Sequence, residues 1–263
     1  MEWYWIVSFI VVGLGAGLLS GLLGIAGGII TVPCFLLIFK AMGLPSEYLM
    51  HVAVGTSLSA MSFNSFASML AHHRRGGVIW EAITKMFPGM VLGVGLGSFI
   101  AGLLSSGFLQ DFFGGFEVLV GLYFLCPFKA KDEGVIPSWW VLSGCLLVIS
   151  GLSAMLGIGG GLMVTPLLVF LGFDMRKSIG TAAAASFLVC VFGAISYLVL
   201  GLTSGVHIND CIGYIHFPAF LIVSLSAPFA AVIGAYLTHK LSVKLLRKVF
   251  GVALILAGVA LLW

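Results

Sequence analysis

Two glycine clusters are the parts of the sequence best suited to chemistry, because closely spaced glycines bring backbone N–H groups within reach of a ligand. They are Gly24-Ile25-Ala26-Gly27-Gly28 and Gly157-Ile158-Gly159-Gly160-Gly161. Each precedes a short apolar run, so each is predicted to lie at a helix N-terminus, which carries about half a positive charge and favours anions. The alternative is close helix packing, which small residues also permit. For Gly89, Gly93 and Gly97, spaced at four, we expect packing.

Hydroxyl side chains near the clusters either bind the same anion or hold neighbouring helices together. Thr31 and Thr165 each neighbour a proline, so their hydroxyls either satisfy carbonyl groups that the proline frees or face the substrate. Two segments, Gly55-Thr56-Ser57 and Gly180-Thr181, repeat the same Gly-Thr pair. The predicted anion site comprises Gly24, Gly27, Gly28, Thr31, Thr56, Ser57, Gly157, Gly160, Gly161, Thr165, Thr181, Ser186 and, as the weakest member, Asn64.

Three ionisable residues, His51, Glu117 and His216, lie in or beside apolar runs. Each is taken to be near the end of its run, so we expect its polar tip to reach the membrane interface. The alternative is a role in proton coupling, which is the default hypothesis for an ionisable group inside a membrane. No acid–base pair is arranged for hydrolysis and no cysteine pattern indicates zinc, so neither an enzyme, a metal nor a cofactor is predicted.

The amino-acid composition indicates the environment in which these residues lie. The chain has 263 residues, of which 61% are hydrophobic and 8% charged, with a net charge of +3. Soluble domains carry roughly 25% charged residues, so a soluble enzyme and a nucleic-acid-binding protein are both excluded. Apolar stretches run continuously for about 17 to 25 residues, as helices in a lipid bilayer require, and they do not alternate as barrel strands do.

The apolar runs predict an all-α polytopic membrane protein with about ten membrane segments, eight of them full spans and two of them short helices. The runs are 5–23, 28–40, 47–71, 81–104, 109–128, 139–156, 161–172, 178–200, 214–237 and 246–263. The short ones, 28–40 and 161–172, follow the glycine clusters. Segments 72–75 and 240–248 are rich in Lys and Arg and are therefore predicted to be cytoplasmic, which puts both termini outside.

The two halves of the chain match each other. The first cluster through Pro33 matches the second through Pro166 at a shift of 133, and a shift of 137 aligns seven residues near the end of each half. Five runs in each half, an odd number, predict that the second repeat is inverted, and inverted repeats are typical of secondary transporters. The predicted repeats are residues 1–130 and 131–263.

The duplicated set resembles the sulfite exporter TauE/SafE family over essentially the whole chain. It consists of Gly-Ile-x-Gly-Gly, an apolar turn, Pro, and then Gly-Thr at the start of the next helix. The resemblance carries the family's motifs onto Gly24, Gly27, Gly28, Gly157, Gly160 and Gly161, and onto the pairs Gly55-Thr56 and Gly180-Thr181. Ala26 stands where the second copy has Gly159, so we expect the two half-sites to differ.

The resemblance implies transport of a small sulfur-containing anion, of the sulfite, sulfonate or sulfoacetate class, across the bacterial inner membrane. We therefore expect a multi-pass secondary transporter that works by alternating access. Its expected partners are the anion, a coupling ion (proton or sodium) and the lipid bilayer, with no nucleic acid, and its oligomeric state is left open. The alternatives are an anion channel and a transporter of a non-sulfur carboxylate anion.

Overall fold

The computed structural model describes residues 2–23, 27–125, 136–238 and 243–263. Within those ranges the chain forms ten α-helices and one two-stranded antiparallel sheet. The elements are α1 (Trp3–Leu23), α2 (Gly28–Ala41), α3 (Leu49–Arg74), α4 (Trp80–Leu103), α5 (Ser106–Leu125), α6 (Trp139–Leu156), α7 (Gly161–Phe170), α8 (Met175–Thr203), β1 (Cys211–Ile212), β2 (Ile215–His216), α9 (Phe217–Thr238) and α10 (Val243–Leu262).

The all-helical membrane fold predicted from the apolar runs is confirmed. Among the described helices, four are long and apolar enough to cross a bilayer: α1, α4, α6 and α8. The two short helices begin at the predicted residues, α2 at Gly28 with 14 residues and α7 at Gly161 with 10. Helix α4 leaves Leu92, Leu96 and Phe99 more than half exposed, as side chains that face lipid would be.

Two helix pairs join the first half of the chain to the second and run in parallel. Helix α1 packs on α9, and α4 packs on α6. A side-chain carbon at Gly13 would lie 3.2 Å from the Cα of Val223, and Gly17 lies against Ala227, so residue numbers rise together along the first pair. The second pair contains the four-spaced glycines of α4, which lie directly against the backbone of α6 at Ser143, Leu147 and Gly151. The predicted packing role of Gly89, Gly93 and Gly97 is thereby confirmed.

Two further pairs between the halves are antiparallel. Helix α3 packs on α8 and α5 packs on α10. The rings of Phe66 and Phe187 lie 5.2 Å apart near one end of the α3–α8 contact, and Leu58 meets Gly193 toward the other. In the α5–α10 contact, a side-chain carbon at Gly114 would lie 2.9 Å from the Gly258 carbonyl oxygen. One at Gly121 would lie 2.7 Å from the carbonyl oxygen of Gly251.

A short hairpin between α8 and α9 was not predicted. Its strands pair Cys211 with His216 and Ile212 with Ile215, and Gly213 turns between them with a φ of 58° that favours glycine. The apolar run expected from residue 214 therefore begins as a strand, and α9 starts at Phe217. Strands of two residues are too short to show the alternating pattern by which strands are recognised in a sequence.

Candidate functional site

The glycine segments of the two halves meet inside the protein. Gly28, the first residue of α2, lies so close to the second cluster that a side-chain carbon there would overlap the carbonyl oxygen of Gly157. The same carbon would lie 2.8 Å from the Cα of Ile158. Gly27, Gly28, Gly157 and Ile158 are all buried. The structure thus brings together residues that are 129 positions apart (157 minus 28), and we call this contact the glycine junction.

Two hydroxyls extend the glycine junction. Ser57 on α3 donates a hydrogen bond of 3.0 Å to the carbonyl oxygen of Gly157. Its Oγ also lies 2.7 Å from Oγ1 of Thr31 on α2, and either hydroxyl can be the donor of that bond. Thr31 and Ser57 are fully buried, and the three elements α2, α3 and the second glycine cluster are therefore held to one another by polar contacts away from water.

The N-terminus of α7 lacks a cap and faces a free hydroxyl. Its N-cap residue is Gly160, with a φ of 79° and no side-chain hydrogen bond to the first turn. A side-chain carbon at Gly161 would overlap Oγ of Ser186, which projects from α8. Ser186 is 2% exposed, and its Oγ has no hydrogen-bond partner among the described residues. In the first turn of α7, the N–H groups of Gly161, Met163 and Val164 bond to the carbonyl oxygens of Gly159 and Gly160, which leaves the N–H of Leu162 without a recorded acceptor in the described part of the chain. An unpaired N–H at a helix N-terminus and an unpaired hydroxyl together can bind an anion.

The N-terminus of α2 has different neighbours. Its N-cap residue, Gly27, also has no side-chain hydrogen bond, but a side-chain carbon there would lie 3.1 Å from the Met61 sulfur. A thioether accepts hydrogen bonds only weakly and donates none. The two helix ends are therefore chemically unequal, with a hydroxyl at α7 and a sulfur at α2. Gly24, the remaining predicted glycine, lies outside the described residues.

Each of the two Gly-Thr pairs contacts a loop between helices that belongs to the opposite half of the chain. Thr56 accepts a 2.9 Å hydrogen bond from the backbone N–H of His216, directly before α9. Thr181 accepts one of the same length from the N–H of Ile79, directly before α4. The glycine before each threonine contacts the backbone of the same loop. Gly55 lies against the backbone of Tyr214, and Gly180 lies against the backbone of Gly77. These hydroxyls thus have structural partners, as the helix-linking alternative expects.

Two other predicted polar residues also bond to the protein. Oγ1 of Thr165 donates to the carbonyl oxygen of Gly161 at 2.9 Å, one turn earlier in α7. Thr165 therefore satisfies a carbonyl oxygen near its proline. Nδ2 of Asn64 donates to Oγ of Ser20 at 2.9 Å and links α3 to α1. Neither residue reaches the glycine junction through a recorded hydrogen bond.

The three ionisable residues are buried, so the expectation that their tips reach the interface is wrong. His51 is 5% exposed, and Glu117 and His216 are 0% exposed. Nε2 of His51 lies 3.0 Å from the Ala101 carbonyl oxygen. The ring of His216 packs 4.9 Å from that of Phe39. The physical reason is tertiary packing, which the run boundaries cannot show: Glu117 and His216 are covered by helices of the other half, and His51 contacts α4 of its own half.

A cavity of about 800 Å³ lies at one end of the helices, where α2 and α4 end and α3 and α5 begin. His51 is the predicted site residue in its wall, which also contains Lys40, Glu47 and Gln110. Of the clustered glycines that the structure describes, none lines this cavity. It therefore forms a vestibule that is separate from the glycine junction.

Comparison with known proteins agrees with this arrangement. The model of the family described as Sulfite exporter TauE/SafE matches residues 9–261. The chain belongs to the sulfite exporter TauE/SafE family. A probable membrane transporter protein of Haemophilus influenzae is 30% identical over 256 residues, covering 97% of each chain. One from Methanocaldococcus jannaschii is 30% identical over 245 residues, covering 90% of this chain and 88% of its own. No solved structure matches the chain.

Membership of the TauE/SafE family makes the chain a multi-pass membrane transporter. Two features of the site were not foreseen from the sequence. Met61 of α3 lies next to Gly27 at the start of α2, and the connections that contact Gly55 and Gly180 come from the opposite half. Glycines at 76, 77 and 213 in those connections are the one signal that could have indicated close backbone contact there.

Proposed function

We propose that this TauE/SafE protein is a secondary transporter of a small sulfur-containing anion of the sulfite, sulfonate or sulfoacetate class. It works by alternating access across the bacterial inner (cytoplasmic) membrane, and it is a transporter without enzymatic activity. The observation that carries the proposal is the uncapped N-terminus of α7 facing the unpaired Ser186 hydroxyl, beside the glycine junction of the two halves.

The helix contacts support two inverted halves, 1–130 and 131–263. If α1–α5 correspond to α6–α10, the contact of α1 with α9 corresponds to that of α6 with α4, and both pairs run in parallel. In the α5–α10 contact, each helix is the repeat equivalent of the other. Gly114 of α5 meets Gly258 of α10, and the residues equivalent to these two, Gly251 and Gly121, also meet each other. An antiparallel pair related in this way fits a two-fold axis in the membrane plane. The boundary at 130 falls outside the described residues.

The α7 end is proposed to bind the oxyanion group of the substrate. The N–H of Leu162 in its first turn and the Ser186 hydroxyl, neither of which has a recorded partner among the described residues, supply donors, and the helix dipole favours the negative charge. Membrane burial makes a fixed Lys or Arg costly, whereas backbone dipoles add no net charge to an empty site. The α2 end has the Met61 sulfur as a neighbour in place of a hydroxyl, so the anion is assigned to the α7 end in the second half.

Alternating access is proposed to occur by movement of the halves at the glycine junction. Contacts between backbone segments without side chains allow one segment to pass the other, and the hydrogen bonds of Ser57 to Thr31 and to Gly157 hold them in this conformation. No nucleotide-binding motif is present in the sequence. An ion gradient, the membrane potential or the anion's own gradient therefore drives transport.

The test is flux in proteoliposomes that contain the purified full chain. Labelled sulfite, thiosulfate, sulfoacetate and acetate are compared, with protein-free liposomes as the blank. We expect saturable uptake of at least one sulfur anion and a several-fold higher KM in Ser186→Ala. The matched control is Ser196→Ala on the same helix, whose hydroxyl bonds to Phe192 of its own turn.

Three outcomes would contradict the proposal. Flux that does not saturate would indicate a channel, and uptake of acetate without any sulfur anion would indicate a carboxylate transporter. Equal KM values for Ser186→Ala and Ser196→Ala would contradict binding of the anion at the N-terminus of α7.

A further inference from the structure

We propose that Glu117 is the proton-binding site that couples anion transport to a proton gradient, with one proton moving in the same direction as each anion. This inference rests on the proposed transport function and adds the identity of the coupling ion and the residue that carries it.

Glu117 lies in the middle of α5, which the apolar run 109–128 predicts to be a membrane segment, and in a contact between the halves. It is 11 residues after the start of α5 at Ser106 and 8 before its end at Leu125, or about 12 Å from the nearer end at 1.5 Å per residue. A side-chain carbon at Gly258 of α10 would lie 3.0 Å from the Cβ of Glu117. The residue thus sits in the α5–α10 contact, where glycines bring the backbones together.

The carboxyl group of Glu117 has no compensating partner in the part of the chain that the structure describes. The side chain is 0% exposed, and neither oxygen has a hydrogen-bond partner among the residues that the structure describes. An ionised carboxylate is very unfavourable in such a place, whereas a neutral carboxyl is tolerated. The group therefore carries a proton in this conformation and loses it only when movement of the helices admits water.

Few titratable groups face Glu117 from the neighbouring helices. On α2, Cys34 packs against the same buried cluster as Phe116, the residue before Glu117. On α3, His51 is directed to Ala101 at the end of α4 instead. On α10, Lys248 is exposed and lies ten residues before Gly258, or about 15 Å along the helix axis. Among the described parts of these helices, no cation is bonded to the carboxyl group. Its protonation is accordingly governed by water access and by other negative charges.

The link to the substrate runs through α2. Cys34 follows Thr31 by three residues, about 4.5 Å along the helix axis, and Thr31 belongs to the glycine junction. An anion bound beside the junction adds a negative charge inside the protein, and a second negative charge nearby is disfavoured at low dielectric constant. The loaded transporter therefore keeps the proton on Glu117. The empty transporter releases it once water reaches the group, so anion and proton move together.

Two flux measurements test the coupling in proteoliposomes, with thiosulfate or sulfoacetate as the probe because neither takes up a proton near neutral pH. If sulfite alone is carried, it is used at alkaline pH as the dianion. Exchange is measured with equal anion on both sides and no pH gradient. Accumulation is measured with acid outside and the membrane potential clamped by K⁺ and valinomycin.

We expect the wild-type protein to perform both reactions, and Glu117→Gln to retain exchange while losing accumulation driven by the pH gradient. Glutamine imitates the protonated side chain, so the loaded protein still reorients but no proton is released. Glu117→Asp keeps a titratable group and retains accumulation. The control Ser98→Ala removes another fully buried side chain whose hydroxyl lacks a partner among the described residues, and it retains both reactions.

Accumulation by Glu117→Gln, or loss of its exchange, overturns the coupling role. So does wild-type accumulation that follows a sodium gradient and ignores a pH gradient. Absence of any sulfur-anion flux in the wild type instead refutes the proposed function. Infrared spectroscopy at neutral pH tests the coupling role of Glu117 separately from the transport function, because it does not depend on flux. The C=O stretch of a protonated carboxylic acid should be present in the wild type and should disappear in Glu117→Gln. Without that band the proposal falls.

Discussion

Replacing Gly28 by alanine tests the glycine junction directly. The added carbon would overlap the Gly157 carbonyl oxygen and lie 2.8 Å from the Cα and 3.1 Å from the carbonyl carbon of Ile158. All three are backbone atoms, so relief requires a shift of the whole second cluster or of α2. Steric overlap of this kind in a packed interior costs about 1–3 kcal/mol. Because no flexible side chain can yield, we expect a value near the upper end, about 2–3 kcal/mol.

The matched control is Gly95→Ala on the exposed face of α4. Nothing lies within 4 Å of the carbon that it adds, and alanine is better than glycine in a helix interior by up to about 1 kcal/mol. The same chemical change should therefore leave the control as stable as the wild type or slightly more stable.

The assay is the thermal unfolding midpoint of the purified protein in detergent, with anion flux in liposomes measured in parallel. At about 2–4 °C per kcal/mol for a chain of this size, Gly28→Ala should melt roughly 4–12 °C below the control. Its flux should fall by about tenfold or more, which corresponds to roughly 1.4 kcal/mol on the limiting step. Equal midpoints and equal flux for the two variants would refute the close contact of the clusters.

Two further predictions concern the second half. Gly161→Ala should lower the unfolding midpoint because the added carbon meets Oγ of Ser186. The double variant Gly161→Ala/Ser186→Ala should recover stability, with a coupling energy of about 0.5–3 kcal/mol between the two changes. Additive effects of the two changes would contradict the contact. Burial and the nearby Asp210 raise the pKa of Cys211 in the hairpin from 9.0 to about 12. With the other cysteines replaced by alanine, maleimide should label Cys211 about a thousandfold more slowly than an ordinary thiol at neutral pH, with the rate still rising at pH 10. A rate that levels off below pH 10 would contradict this.

The helices were predictable because their signal is local. The runs 139–156 and 161–172 correspond to α6 and α7, the first at both ends and the second at its start. Glycines ahead of Gly28 and Gly161 mark helix starts through backbone geometry that a few residues decide. The hairpin at 211–216 was not predicted because strands of two residues are too short to show alternating hydrophobicity. Its position depends on contacts with α3.

For the candidate site, the sequence named residues that the structure brings into contact, and it did not give their geometry. Gly28, Ser57 and Gly157 were each expected there, and the structure places them in one contact. Thr56, one residue before Ser57 and turned by about 100° around the helix, instead holds the hairpin. A choice between binding and packing for adjacent hydroxyls depends on which helix covers each face, and that helix comes from the other half of the chain.

The sequence by itself determined the environment, the helical class and the family, because composition, run length and motifs are properties of the chain alone. Only the tertiary structure decided which helix end keeps an unpaired hydroxyl and which meets a sulfur, and that Glu117 is enclosed. Burial and hydrogen bonding are set by neighbours distant in the sequence. In a protein with so few charges, those neighbours decide which polar groups remain free to bind an anion or a proton.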